Sequence, residues 1–276
     1  MLGISTSFAS TIKKKHSTNM TKPRPGVPAA IRLAASSDVA LWKRVEQQFK
    51  AIRSDTLNDA EKCLAVSVGD KGFDEISKSQ LMDIVKWKFA VGKPRPQNLG
   101  LLRSNAEDFV KECSQNAVQL ARDIQLQDCV SEQTGEWTPQ GKGAIQNALN
   151  EMTKLKGVGP ATATAVLCLV RPDIFCYMYD EVIDCFEPKR DYTLNIYLRV
   201  NLRCLQLAKM LGKEWTTARV ATVLWIAARV LANQKDDDLT GQLAEDTAKV
   251  SEAGQIQDKA GDTKQPSRKR RRPIQR

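Results

Sequence analysis

Residues 155–163 constrain the fold of this chain more than any other stretch. They spell Leu-Lys-Gly-Val-Gly-Pro-Ala-Thr-Ala, and apolar residues recur at helical spacing on both sides, over residues 145–155 and 163–170. The spacing predicts two amphipathic helices joined by a tight turn. Gly157 and Gly159 suit such a turn because glycine takes positive φ and lets another backbone or a ligand come close.

The start of the second helix is predicted to attract anions. Pro160 suits the first position of a helix and lacks an N–H, so we expect the free donors to be the N–H groups of residues 157–159. Free amides and the helix dipole together favour phosphate at such a site. The alternative is a tight connection inside an all-α core. The candidate phosphate contacts are Gly157, Val158 and Gly159, with Lys154 and Lys156 as auxiliary cations.

A second basic stretch surrounds Trp87, where a helix is predicted to end at a glycine and two prolines. Lys88, Lys93 and Arg95 could meet phosphates there while Trp87 stacks on a base. The competing interpretation is that Trp87 anchors the helix end in the core and that the cations are only solvated.

The remaining pattern predicts an all-α fold, a multi-helix orthogonal bundle, over residues 38–234. Apolar stripes of helical spacing recur along this segment, and no sustained two-residue alternation indicates a strand. Residues 1–37 and 235–276 are rich in polar residues, and we expect both to be disordered tails.

The positive charge of the chain is concentrated at its two ends. The formal net charge is +10, and residues 1–37 and 265–276 each hold six basic side chains and no acidic one. The segment between is therefore nearly neutral. The cluster at 268–272 is typical of a nuclear import signal and predicts a nuclear protein that binds an import receptor, the alternative being a solvated tail. Residues 1–37 could instead serve as an organellar targeting segment.

The composition argues against membrane proteins, metal-binding proteins and disulfide-rich proteins. No apolar run is long enough to span a membrane, so no membrane partner is expected. The seven cysteines form no CxxC pair and the single histidine is His16, so we expect neither a metal site nor a disulfide framework.

The stretch at 155–163 closely resembles the helix-hairpin-helix motif, which grips the DNA backbone without reading sequence. Proteins with this Gly-Val-Gly signature include the DNA glycosylases of the endonuclease III type. The resemblance implies double-stranded DNA as the partner and, in some members, a monovalent cation shared between hairpin and phosphate. It covers residues 143–184 closely and the helical pattern of 38–234 more loosely.

The resemblance also implies a catalytic aspartate at the start of the helix that follows the hairpin. Asp180 lies within about one residue of the expected position. A fixed carboxylate there would stabilise the positive charge that develops on deoxyribose when a base is released from an extruded nucleotide. The plainer interpretation is that Asp180 only caps the helix that begins at Glu181.

Two departures from the family limit the expected chemistry. Members that also nick the strand carry a lysine where this chain has Ala161, so a Schiff base from that position is impossible. The chain has no cysteine after Cys204, whereas many members end in four cysteines that hold an iron–sulfur cluster. Neither a cofactor nor this cluster is expected.

The sequence therefore leaves more than one function open. The chain is either a monofunctional DNA N-glycosylase of base-excision repair or a non-enzymatic nuclear protein that uses the same hairpin to hold DNA or to dock in chromatin. A third interpretation gives the hairpin only a role in protein–protein packing.

Overall fold

The computed structural model describes residues 25–69 and 73–232, which form twelve α-helices and one short 3₁₀ helix at Gln48–Ile52. Over these ranges no strand is present, and the only extended pairing is an isolated bridge between Val130 and Trp137. The prediction of an all-α fold is confirmed. In chain order the helices are α1 (Val27–Ala34), α2 (Val39–Gln47), α3 (Asp55–Val68), α4 (Lys78–Val91), α5 (Gln97–Arg103), α6 (Glu107–Asp123), α7 (Leu126–Cys129), α8 (Pro139–Thr153), α9 (Pro160–Val170), α10 (Asp180–Phe186), α11 (Leu194–Leu211) and α12 (Thr217–Ala232).

Local sequence fixes where the helices that lead to the predicted turn begin. The Ser77 hydroxyl accepts from the N–H of Gln80 at 3.2 Å, and the Gln80 side chain accepts from the N–H of Ser77 at 2.8 Å, so a capping box starts α4. Thr138 caps α8 in the same way, accepting from the N–H of Gly141 at 2.9 Å. The C-terminal ends of both helices then lie near the turn.

Helix α9 forms the centre of the bundle. Every side chain from Thr162 to Cys168 is buried, and the helix packs against α4, α6 and α8. A helix that is apolar on all sides is stable only when it is surrounded, which explains this position. Its N-terminal end is the exception, because Gly159 is exposed there. The buried helix thus presents its positive end to solvent at the turn.

The predicted disorder of residues 1–37 is wrong for the part that the structure describes. Residues 27–34 form α1, which buries Val27, Ala30 and Leu33 and packs on α10 and α12. The nearby prolines suggested disorder, yet a proline at the start of a helix stabilises it, and small residues let α1 lie close to its neighbours. Residues 1–24 lie outside the described residues. The targeting role suggested for residues 1–37 therefore stays a prediction.

The predicted C-terminal tail at 235–276, with its basic cluster at 268–272, also lies outside the described residues. Helix α12 ends at Ala232 and is the last described element of the domain that the sequence predicts over residues 38–234. Among the described helices, none is long and apolar enough to cross a membrane. All seven cysteines lie in the described part as free thiols, and only Cys63 is exposed.

A pair of glycines in α8 tests how tightly the bundle is packed. A Cβ on Gly141 would lie 2.6 Å from the carbonyl oxygen of Cys129, whereas a Cβ on Gly143 would meet nothing within 4 Å. We expect Gly141→Ala to lower the free energy of unfolding by about 1–3 kcal/mol through overpacking. Gly143→Ala should raise it by up to about 1 kcal/mol, because alanine is the better helix former. Urea denaturation measures the free energy of unfolding of each variant. Equal changes in the two variants would contradict this packing.

Candidate nucleic-acid interface

The turn between α8 and α9 uses its two glycines in different ways. Gly157 has φ +79°, and a Cβ there would lie 3.0 Å from Cβ of Leu101 and 3.1 Å from the carbonyl oxygen of Asn98. Conformation and packing against α5 therefore both require glycine at 157. Gly159 has φ −101°, and a Cβ there would meet nothing within 4 Å. Nothing inside the chain requires glycine at 159, and its backbone stays open to an approaching ligand.

The turn is held in place by Asn105, a buried residue that the sequence did not single out. Its side-chain oxygen accepts from the N–H of Lys156 at 2.9 Å, and its amide nitrogen donates to the carbonyl of Lys156 at 3.0 Å. The same nitrogen donates to the carbonyl of Leu102 at 3.0 Å. Asn105 thus ties the turn to the end of α5, which makes the geometry of the amides rigid.

The structure leaves three backbone N–H groups free at the turn, and one of them differs from the three that the sequence predicted. The N–H of Val158 donates to the carbonyl of Leu155 at 3.1 Å, and the Val158 side chain is buried in the core, so Val158 is not available as a donor. Among the described residues, none accepts from the N–H of Gly157, Gly159 or Ala161. The prediction of free donors at 157–159 thus needs correcting: they are residues 157, 159 and 161.

A pocket of about 140 Å³ lies beside these amides. It is bounded by the end of α4, the loop that follows it, the turn, the start of α9 and the start of α10. The structure therefore brings together residues that the sequence had placed in three separate motifs. The predicted site residues that line the pocket are Lys88, Lys93, Arg95, Gly157, Gly159 and Asp180.

Asp180 lies in the pocket with both carboxylate oxygens engaged. Arg190 donates to one oxygen, and the Tyr192 hydroxyl donates to the other at 2.7 Å. The Asp180 side chain keeps 22% of its surface exposed. Burial and the hydrogen bond to Asp180 raise the pKa of Tyr192, which keeps that hydroxyl a donor at neutral pH.

The predicted capping role of Asp180 is wrong. Asp180 is the first residue of α10, Tyr179 occupies the cap position, and no side chain caps this helix. The Asp180 carboxylate faces Arg190 instead. Arg190 also pairs with Asp184 one turn further along α10, so a single guanidinium joins the two carboxylates.

The cations of the pocket have no carboxylate partners of their own. Over the residues that the structure describes, no carboxylate oxygen lies within 4.0 Å of Lys88, Lys93 or Arg95. The Arg95 guanidinium lies over the Tyr192 ring at 5.2 Å from its centroid, which holds the cation at the mouth of the pocket. Burial lowers the pKa of Lys88, nearby Arg95 lowers it further, and Asp180 partly offsets both.

Trp87 lies outside the pocket. The half-buried indole packs against the Tyr177 ring with centroids 5.2 Å apart, and Tyr177 in turn contacts Tyr179 at 4.5 Å. Of these three aromatic residues, Tyr177 and Tyr179 line the pocket and are buried, and Trp87 does not line it. This geometry favours the interpretation in which Trp87 anchors the end of α4.

The two lysines of the turn also lie apart from the pocket. Lys154 is bound to Glu151 at 2.7 Å, one turn earlier on the same surface, so its charge is largely compensated. Lys156 is exposed and has no ion pair in the described part of the chain. Of these two predicted auxiliary contacts, Lys156 is the one whose charge is available.

The turn offers few ligands for a monovalent cation of the kind that the resemblance implies. The carbonyls of Leu155, Lys156 and Gly159 already accept hydrogen bonds. Those of Gly157 and Val158 have no donor among the described residues. A monovalent cation at the turn stays a prediction.

Sequence reasoning missed three residues that shape the site: Asn105, Arg190 and Tyr192. Asn105 lies 51 residues before the Lys156 peptide that it holds, whereas Arg190 and Tyr192 lie 10 and 12 residues after Asp180. Only Arg190 carried a signal, because an arginine ten residues after an acidic helix start is close enough to fold back on it.

The chain matches no family model, and it has no match among curated proteins or solved structures. The function must therefore be argued from the residues and from the geometry of this pocket.

The two glycines of the turn should respond differently to alanine. Gly157→Ala should lower the free energy of unfolding by about 1–2 kcal/mol or more, because the left-handed conformation penalises a Cβ and Leu101 crowds it. Gly159→Ala should change stability by less than about 0.5 kcal/mol. Urea denaturation of both variants tests this, and a larger loss at 159 than at 157 would contradict the described turn.

Proposed function

We propose that this protein binds the sugar-phosphate backbone of double-stranded DNA through the surface around the pocket, without reading base sequence. One observation carries the proposal: unpaired amides at the start of α9 and three uncompensated cations converge on the same 140 Å³ pocket. Helix starts with free N–H groups bind phosphate, and neighbouring lysine and arginine side chains strengthen that binding.

The charge distribution suits a binding site of limited extent. The segment between the two basic ends is nearly neutral, but Lys88, Lys93 and Arg95 line the pocket with one carboxylate, Asp180, so positive charge is concentrated there. Because affinity for duplex DNA rises with the number of phosphates neutralised, three or four cations give moderate, salt-dependent binding. The basic cluster at 268–272 would add affinity or bind a nuclear import receptor, and nuclear localisation stays a prediction.

Removal of a base is the second candidate function, and one observation favours it. Asp180 lines the same pocket as the turn, as an N-glycosylase of base-excision repair would need. The hydrogen bonds from Arg190 and Tyr192 argue against it, because a paired carboxylate stabilises a sugar cation less and is a poorer base toward water. We therefore place backbone binding without catalysis first.

Salt-dependent binding tests the first function. Lys93→Gln and Arg95→Gln should each reduce the slope of log K against log salt concentration by about 1 and weaken binding for every duplex sequence alike. Fluorescence anisotropy with a labelled duplex measures this. Lys142→Gln is the matched control: this exposed lysine lies near the other end of α8, about 20 Å from the turn at the rise of an α-helix. Equal slopes for all variants and the wild type would contradict the proposal.

Single-turnover base release separates the two functions. A panel of duplexes, each with one damaged or mismatched base, is incubated with the wild type, Asp180→Asn and Asp184→Asn. Both variants remove a partner of Arg190, but of these two aspartates only Asp180 lines the pocket. We expect binding without release. Release by the wild type and Asp184→Asn that falls about 100-fold or more in Asp180→Asn would establish the glycosylase instead.

A further inference from the structure

Lys88 differs from the other two cations of the pocket in its burial. Lys93 and Arg95 are exposed, whereas Lys88 is half-buried near the end of α4. Among the described residues, no group forms a hydrogen bond or an ion pair with its ammonium. The centroid of the Phe89 ring lies 5.9 Å from Nζ, at the outer limit of a cation–π contact. Because a half-buried charge without a counterion is unfavourable, the neutral amine is favoured here more than in an exposed lysine.

The other titratable groups of the pocket do not supply a counterion for Lys88. Asp180 is the one carboxylate that lines the pocket, and Arg190 already holds it. Burial and nearby Arg95 lower the pKa of Lys88, and Asp180 only partly offsets them. Three tyrosine hydroxyls of the pocket stay neutral, because burial raises the pKa of each: Tyr177, Tyr179 and Tyr192.

A neutral lysine amine is a nucleophile toward carbonyl carbon. Desolvation and a neighbouring cation are the two conditions that make a lysine reactive in this way, and Lys88 has both. The sugars and phosphates of an intact DNA strand contain no carbonyl group. A sugar that has lost its base differs, because its ring opens to an aldehyde at C1′. Of the groups in a DNA backbone, this aldehyde is the one that a lysine amine attacks.

The pocket places Lys88 together with the amides that the proposed function assigns to phosphate. The free N–H groups of Gly159 and Ala161 belong to the same pocket, and every sugar of a strand lies between two phosphates. The volume of about 140 Å³ is close to the 150 Å³ cavity that accommodates one benzene molecule, so it suits a sugar without its base better than a whole nucleotide. Such a sugar also leaves the duplex at the least cost, because it has no base pairing to lose.

We propose that Lys88 binds abasic sites in DNA covalently and reversibly, by forming an imine with the C1′ aldehyde. Nζ attacks C1′, a C=N bond replaces the C=O bond, and the carbonyl oxygen leaves as water with the two amine protons. No oxidant or reductant takes part, and water reverses the reaction. Lys88 lies on α4 rather than in the turn, so the alanine at 161 does not exclude this step. The inference rests on the proposed binding of DNA and adds the kind of lesion that is held.

Reductive trapping with sodium borohydride tests the inference. The full chain is incubated with three duplexes of one sequence, which are intact, carry one abasic site, or carry one tetrahydrofuran residue that lacks the aldehyde. Borohydride reduces the C=N bond to a stable secondary amine, and denaturing gel electrophoresis measures the trapped fraction. Anisotropy sets the protein concentration so that each variant is bound to the same extent. We expect an adduct with the abasic duplex alone.

Two lysine variants on α4 form a matched pair. Lys88→Arg keeps the positive charge, but a guanidinium stays protonated and forms no imine, so the trapped fraction should fall about tenfold or more. Lys86→Arg is the control, because Lys86 is exposed and pairs with Asp83 at 2.8 Å, and its trapped fraction should match that of the wild type. Peptide mapping of the wild-type adduct should place the modification on Lys88, which keeps the test decisive even where Lys88→Arg unfolds.

Each outcome has a definite meaning. An adduct with the abasic duplex that maps to Lys88 supports the inference. Binding of all three duplexes without an adduct overturns the inference and leaves backbone binding intact. No binding to any duplex overturns the inference together with the proposed function. An adduct that maps to another residue, or that persists undiminished in Lys88→Arg, also overturns the inference, because the aldehyde then reacts elsewhere.

Discussion

The site depends on one left-handed residue, Gly157, packed against α5. Its positive φ turns the chain between α8 and α9 within a few residues, and the close contact with Leu101 fixes the turn on the surface of the bundle. Asn105 fastens the neighbouring peptide from the other side. Because α9 is buried along most of its length, this turn determines where its positive end emerges. The amides at 159 and 161, the pocket and the nearby cations all follow from that placement.

Arg190 decides what chemistry the pocket favours. Without it, Asp180 would be an unpaired carboxylate in a pocket beside a turn with free amides, which is the arrangement that the second candidate function, base release, would use. With it, the carboxylate belongs to a half-buried cluster in which Arg190 pairs with Asp180 and Asp184 and the Tyr192 hydroxyl donates to Asp180. Loss of one member would leave a half-buried charge without its partner, which is costly. Under the proposed function, Asp180 therefore shapes the pocket, and the cations of α4 and the following loop attract the phosphate.

The sequence predicted the helices and the turn because both are local. Apolar periodicity and the two glycines identified α8, α9 and their connection, and the family resemblance implied that Asp180 lies near the turn. The contact between distant segments carried no such signal: Asn105 lies 51 residues before Lys156, and its role became visible only once the chain was folded. Phe109 shows the same limit within a helix. Its apolar side chain alone would favour the buried face of α6, yet it is 40% exposed, whereas its neighbour Val110 is buried where α6 packs on α8.

Hydrogen exchange in the presence of DNA tests most directly whether the pocket surface is the nucleic-acid surface. The amides of Gly159 and Ala161 have no acceptor among the described residues, so in the free protein they should exchange quickly. On addition of duplex, we predict slower exchange at residues 157–161 and over 88–98, with little change in α11. Slower exchange confined to α11 or α12, or none at the turn although DNA is bound, would contradict the account.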